Sequence, residues 1–200
     1  MLPQEPERVD GRKLRARRTR GAIVAAALEL IEEGDVAPTA QALAERAGVA
    51  VRSIGQHFSS REDLVLAAVE EHAARLAGMR VVIDSDLPWG QRLEAFVGAR
   101  ARELDASAAM RRAGAVHETR SEVVARAVKA AARARRAEVT RVFEVELSAL
   151  APAARRTSSD ALDAATSGRA WDGMRKDAGL SLAQAKAAMA KLITSLLTRD

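Results

Sequence analysis

The chain has no cysteine and no tyrosine, and aromatic side chains make up only 2% of its 200 residues. Without cysteine there is no disulfide, no thiolate nucleophile and no thiolate-ligated metal. Scarce aromatics and abundant alanine argue against strands and for helices, in which alanine has the best intrinsic propensity. No run reaches the roughly 18–20 uninterrupted apolar residues of a membrane span, and the N-terminus is charged where a signal peptide would be apolar. These absences predict an all-α, cytoplasmic protein with no membrane partner. Its 48% hydrophobic residues can fill one domain or two small ones.

What is present in excess is positive charge at one end. Residues 1–20 carry Arg8, Arg12, Lys13, Arg15, Arg17, Arg18 and Arg20 against Glu5, Glu7 and Asp10. Seven cations against three carboxylates leave +4 of the net +5 there, and the remainder is nearly neutral. A basic arm over residues 1–19 suits a polyanionic partner, because neutralising phosphates releases condensed counterions. The same composition also suits a solubilising tail.

Apolar periodicity then sets out helices. Ile23, Val24, Ala27, Leu30 and Ile31 predict one from about Arg20 to Glu33, closed by Gly34. Thr39, as an N-cap, opens a second that runs through Leu43, Ala44 and Ala47 to Gly48. Ser60 with Asp63 forms a capping-box pattern before a longer helix reaching about Met79. Beyond a break at 84–88, helices are expected over Trp89 to about Leu104, then, past a break between Gly114 and Thr119, over Ser121 to about Leu150, which should be the longest. A linker at 152–159, with Ser158 or Ser159 as a cap, precedes a helix through Trp171 toward Asp177. Gly179 interrupts it, and Ser181 caps a last amphipathic helix bearing Leu182, Ala185, Met189, Leu192, Ile193 and Leu196.

Between the second helix and Ser59 lies AVRSIGQHF, residues 50–58. A helix, a glycine turn and a second short helix form a helix-turn-helix. Leu43, Ala44, Ala47, Gly48, Val49, Ile54 and Phe58 are its expected core and turn. That leaves Val51, Arg52, Ser53, Gly55, Gln56 and His57 outward, with no carboxylate among them. Arg pairs bidentately with guanine, Gln with adenine, Ser with phosphate or base, and Val with a thymine methyl.

TAQALAERAGVAVRSIGQHFSSREDL, residues 39–64, resembles the DNA-binding signature of tetracycline-repressor (TetR) family transcriptional regulators. SGRAWDGMRKDAGLS, residues 167–181, is similar to the junction between the last two helices in part of that family. The resemblance implies a helix-turn-helix DNA-binding domain over 20–66, with a linking helix to about 79. It also implies an antiparallel helical bundle over 80–200 for dimerisation and effector binding. Further implications are a double-stranded operator, a homodimer, a small-molecule effector of unknown identity and no cofactor. Carried over position by position, Thr39 and His57 contact phosphate, Val51, Arg52, Ser53 and Gln56 face bases or backbone, and Arg61 stands for the usual Lys. Arg17 and Arg18 reach the backbone or the adjacent minor groove.

Two positions depart from the pattern. Ala50 stands where a Ser cap is common, and Gly55 where a Tyr reaches phosphate; each costs the recognition helix about 0.5–1 kcal/mol, so that helix is expected to order fully only on DNA. Trp171, Met189, Leu192 and Leu196 are the expected dimer contacts, with Trp89 and Trp171 also readable as core. The alternative reading of His57 is a plain surface or capping residue. His72 and His117 lack ligand-spaced partners, so no metal site is expected. Arg133, Arg135 and Arg136 form either a solvated face or a second anion site. Two other function classes remain open: a non-specific architectural nucleic-acid binder, and a helical-bundle enzyme, for which no nucleophile or tuned acid–base pair stands out.

Overall fold

The end of the first helix follows directly from its glycine. Gly34 lies at φ +106°, a region strained for other residues, and its N–H donates to the Ile31 carbonyl at 3.1 Å. In the computed structural model, which describes residues 11–119 and 121–198, this helix is α1 (Gly11–Glu32). It begins well before the expected Arg20. Residues 11–19 are therefore helical and not a separate arm, because Arg, Lys, Leu and Ala are strong helix formers and no breaker intervenes; residues 1–10 of the expected arm lie outside the described residues.

Thr39 caps α2 (Ala40–Ala47) as expected, its Oγ1 accepting from the Ala42 N–H at 3.1 Å. Gly48 then takes the left-handed conformation at φ +66°, and the Val49 N–H returns to the Ala44 carbonyl at 2.9 Å. This glycine closure turns the chain sharply into α3 (Val51–His57). Leu43, Ala44, Ile54 and Phe58 are buried along with Ile23, Val24, Leu28 and Ile31 of α1. Ala47 and Val49 are half-buried, and Gly48 is exposed at the turn. Ser60 Oγ caps α4 (Arg61–Gly78) by accepting from the Asp63 N–H at 3.1 Å, while Asp63 accepts from the backbone of Ser59.

The chain divides into two compact units, residues 1–73 and 74–200. The second contains α5 (Trp89–Ala106), α6 (Ala108–Glu118), α7 (Glu122–Val142) and α8 (Glu144–Ser148), then α9 (Pro152–Ala165), α10 (Gly168–Asp172), a π-helical turn (Gly173–Asp177) and α11 (Leu182–Leu197). Its core gathers Phe96 and Leu104, Val139 and Phe143, Leu162, Trp171, Met189 and Ile193. No strand occurs among the described residues, and no helix there is long and apolar enough to cross a membrane.

Several expected boundaries shift, each for a local reason. The helix expected over 121–150 breaks at Phe143, whose ring is fully buried and packs edge-on to Phe96 with centroids 5.1 Å apart. At 21 residues α7 is therefore shorter than α1 at 22. Gly114 sits inside α6 and does not break it; a β-carbon there would make ordinary contact with the Val128 side chain at 3.7 Å. Pro152 starts α9 at its first position, where the missing N–H costs nothing, and Ser158 lies within the helix. The helix expected through Trp171 is interrupted at Thr166, and Ser167 caps α10.

Trp171 and Met189, expected as dimer contacts, are 1% and 0% exposed inside the chain's own core. Trp171 Nε1 donates to the Asp105 carboxylate at 2.7 Å. Large apolar volume with a satisfied polar tip belongs in the interior when so few other aromatics can fill it.

Candidate nucleic-acid interface

A seven-residue helix with Ile54 turned inward leaves most of its circumference outside. On α3 Val51, Arg52, Gly55 and Gln56 are exposed, and Ser53 and His57 are half-buried. Arg52 and Gln56 stand one turn apart and share a face. Thr39 and Arg61 are exposed at the starts of α2 and α4, and the Arg61 guanidinium donates to the Pro38 carbonyl at 3.4 Å, spanning the entrance to both helices. Arg17 and Arg18 are exposed on α1. Most residues expected to meet DNA thus lie on the surface, while Leu43, Ala44, Ile54 and Phe58 lie beneath it. The nearby Asp63 carboxylate is occupied by Ser59, which leaves the α3 face with guanidinium, amide, hydroxyl and imidazole groups.

Arg20 is a residue that sequence spacing misses. From α1 its guanidinium donates to the His57 carbonyl at 3.0 Å and lies over the Phe58 ring, 4.2 Å from the centroid. The first contact satisfies an orphan carbonyl at the end of α3, and the second adds a cation–π attraction at the base of the motif. A partner 37 positions away carries no periodic signal. Arg20→Ala is expected to lower stability by about 1–2 kcal/mol, one net hydrogen bond plus one cation–π contact. Urea denaturation followed by circular dichroism measures it, and an unchanged midpoint would show that α3 holds without the clamp.

A second clamp joins α2 to α1. Arg46 donates to both carboxylate oxygens of Glu33, at 2.8 and 2.7 Å, and approaches Glu29 at 3.4 Å. The hydrogen bonds that Arg46 donates hold the Glu33 carboxyl below its ordinary range, and the same bonds, accepted by Glu33, raise the Arg46 guanidinium. Two parallel N–H···O bonds fix an angle as well as a distance, so the pair sets the register of α2 on α1.

These ties support α3 as a helix despite its weak sequence. Ala50 provides no side-chain cap, but the Ser53 N–H reaches the Ala50 carbonyl at 2.8 Å and the Phe58 N–H reaches Ile54 at 2.9 Å. Gly55 has ordinary helical geometry, and a β-carbon built there meets nothing within 4 Å. No close approach requires the glycine in this chain. Gly55→Ala should therefore stabilise the protein by about 0.5–1 kcal/mol, read as a raised thermal midpoint; a lowered midpoint would mean that the position is constrained after all.

Residues 23–68 match the model of the bacterial regulatory proteins of the tetR family. A transcriptional regulator from Rhodococcus sp. Rha1 is 18% identical, with 91% of this chain and 95% of that one covered and a TM-score of 0.69. A tetR-family transcriptional regulator from Streptomyces coelicolor is 16% identical, over 88% and 80% of the two chains, with a TM-score of 0.66. The multidrug binding protein EbrR, solved with imidazole, is 17% identical over 100% and 99%, with a TM-score of 0.60. No curated protein sequence matches the chain significantly.

Proposed function

Through residues 23–68 the chain belongs to the tetR family of bacterial regulatory proteins, DNA-binding transcriptional regulators, and on that premise we propose that it is a homodimeric, ligand-responsive repressor reading a palindromic operator. The observation that carries this reading is the exposed, carboxylate-free face of α3 set behind the Gly48 turn. Arg52 and Gln56 read base edges, with Val51 and Ser53 beside them, while Thr39, His57 and Arg61 fix the register on phosphates. Leu192, 44% exposed on α11, and its half-buried neighbour Leu196 supply part of the dimer contact. The likeness of the fold to that of a multidrug binding protein supports an effector site in the C-terminal unit. An effector releases DNA only by binding the non-operator conformation more tightly. The protein acts where the chromosome is, in the cytoplasm.

Selection of bound fragments from the source genome tests the proposal. A palindrome with half-sites about one helical turn, roughly 10 base pairs, apart is the expected result. Absence of any enriched site would favour the non-specific binder, a reading that the six cations and no carboxylate of residues 11–20 keep in view. Those cations have their own test. The double variant Arg17→Ala, Arg18→Ala should weaken binding to all sequences alike and flatten the salt dependence by roughly 0.9 for each phosphate contact removed. Anisotropy titrations across a salt series measure this, and an unaltered slope would return the residues to a solubilising role.

A further inference from the structure

We propose that the C-terminal unit binds a small amphipathic carboxylate in a cavity beneath Arg100. The cavity, about 70 Å³, lies wholly within this unit. That admits a few heavy atoms, well short of the roughly 300–1,000 Å³ of pockets for drug-sized ligands. Leu76, Met79 and Phe96 give it an apolar wall, while Arg80, Arg100 and Arg102 bring three guanidinium groups against the two carboxylates of Glu103 and Glu138. A ligand with a short hydrocarbon body and one anionic end matches both features.

Arg100 is what distinguishes this cavity from an ordinary surface dip. It is 1% exposed, and its Nη2 donates to Glu138 at 2.8 Å. Its Nη1 lies 3.3 Å from Glu103 off hydrogen-bond geometry, and neither Nη1 nor Nε donates to an acceptor among the described residues. Buried donors left in that condition are costly, and a guanidinium fork matches a carboxylate in shape as well as charge. A further cation is under-compensated nearby. Arg135, half-buried on α7 one turn before Glu138, carries neither hydrogen bond nor ion pair among the described residues. Burial first, and then repulsion from Arg100, outweighs the attraction of Glu103 and Asp163 and holds its guanidinium below the ordinary range. Glu103 and Glu138 thus serve more positive charge than they neutralise, and an incoming anion meets an unpaid deficit of acceptors.

The regulatory meaning of this site rests on the ligand-responsive reading above, but its occupancy does not. The test uses full-length protein without DNA, at constant ionic strength made up with chloride. Sodium acetate, butyrate and octanoate, inorganic phosphate and the neutral butyramide are titrated by calorimetry and by thermal midpoint, which rises with occupancy of a native-state site. Butyrate is expected to saturate, to bind at least tenfold tighter than butyramide or phosphate, and to exceed acetate by about fourfold per added methylene. Octanoate gains nothing over butyrate, because the space is used up. Arg80→Gln and Arg102→Gln, both at exposed positions, should each weaken butyrate at least threefold while leaving the unliganded midpoint unchanged. Arg100→Met should abolish binding, and the two exposed variants keep the test decisive should Arg100→Met fail to fold. Equal binding of butyramide, equal binding of phosphate, or no saturation with any carboxylate would each overturn the proposal. DNA affinity of the unliganded protein is measured separately, so failure of the site and failure of the regulator reading give different results.

Discussion

Trp171→Ala is expected to lower the unfolding free energy of the C-terminal unit by about 3–5 kcal/mol, the usual cost of emptying a large aromatic site in a packed core. The side chain is 1% exposed and sits in a cluster with Leu104, Leu162 and Met189, so its loss leaves a cavity lined by groups from several helices. Domains of this size are stable by only about 5–15 kcal/mol, which makes the change a large share of the total. Its indole N–H also gives up the hydrogen bond to Asp105, but that carboxylate is exposed and water replaces the donor, so volume accounts for most of the loss. Trp171→Phe separates the two contributions and should cost less. Trp89, the other of the two tryptophans, lies in the same unit and reports its unfolding by fluorescence. The measurement is urea unfolding at two protein concentrations tenfold apart. A core residue gives the same loss at both, whereas a loss that shrinks at the higher concentration would restore Trp171 to the dimer interface.

That contrast shows what the sequence could and could not convey. Around the helix-turn-helix nearly every determinant is local. Gly48 must sit at positive φ, Thr39 caps the residue three positions on, and the spacing of Ile54 and Phe58 selects the inward face. Such features were legible because their partners lie within a few residues. Burial of Trp171 depends on helices separated by dozens of residues, and an amphipathic stripe on α11 does not say whether it covers its own chain's core or a second copy. Met189 and Leu192 share that helix yet are 0% and 44% exposed.

Arginine was the residue type least legible in advance. Arg20, Arg92, Arg100 and Arg111 all make contacts with residues far along the chain, which no local spacing marks. Arg92, 4% exposed, donates to the carbonyls of Ser85 and Leu87 and pairs with Glu146. Arg111 reaches Asp172 at 2.9 Å across Gly168, where a β-carbon would fall 2.4 Å from its Nε. The glycine of the SGRAW stretch is therefore required by an arginine 57 positions earlier, and no motif records that dependence. A chain with 2% aromatics fills part of its interior with the stems of arginines whose heads are tied to carboxylates and carbonyls.

Arg52→Ala is expected to weaken operator binding by about 1–3 kcal/mol at each reading head, as loss of a good base contact does. In a homodimer the contact is lost twice, so the total approaches about 2–6 kcal/mol when both heads are engaged. Arg52 is exposed on α3, has no hydrogen-bond or ion-pair partner among the described residues and shares its face with Gln56, so the folded state should be indifferent to the change. The decisive quantity is a ratio. If Arg52 reads a base, operator affinity falls steeply, affinity for scrambled DNA falls only as far as one lost charge per head requires, and specificity collapses. Arg52→Lys sharpens the point, because it keeps the charge and removes the planar fork that binds a guanine edge bidentately. Competition anisotropy with operator and scrambled duplexes at one salt concentration gives the affinities of the parent protein and both variants for each duplex. Parallel losses on both duplexes for Arg52→Ala, with full rescue by Lys, would place Arg52 on phosphate and leave Gln56 as the reader on this face.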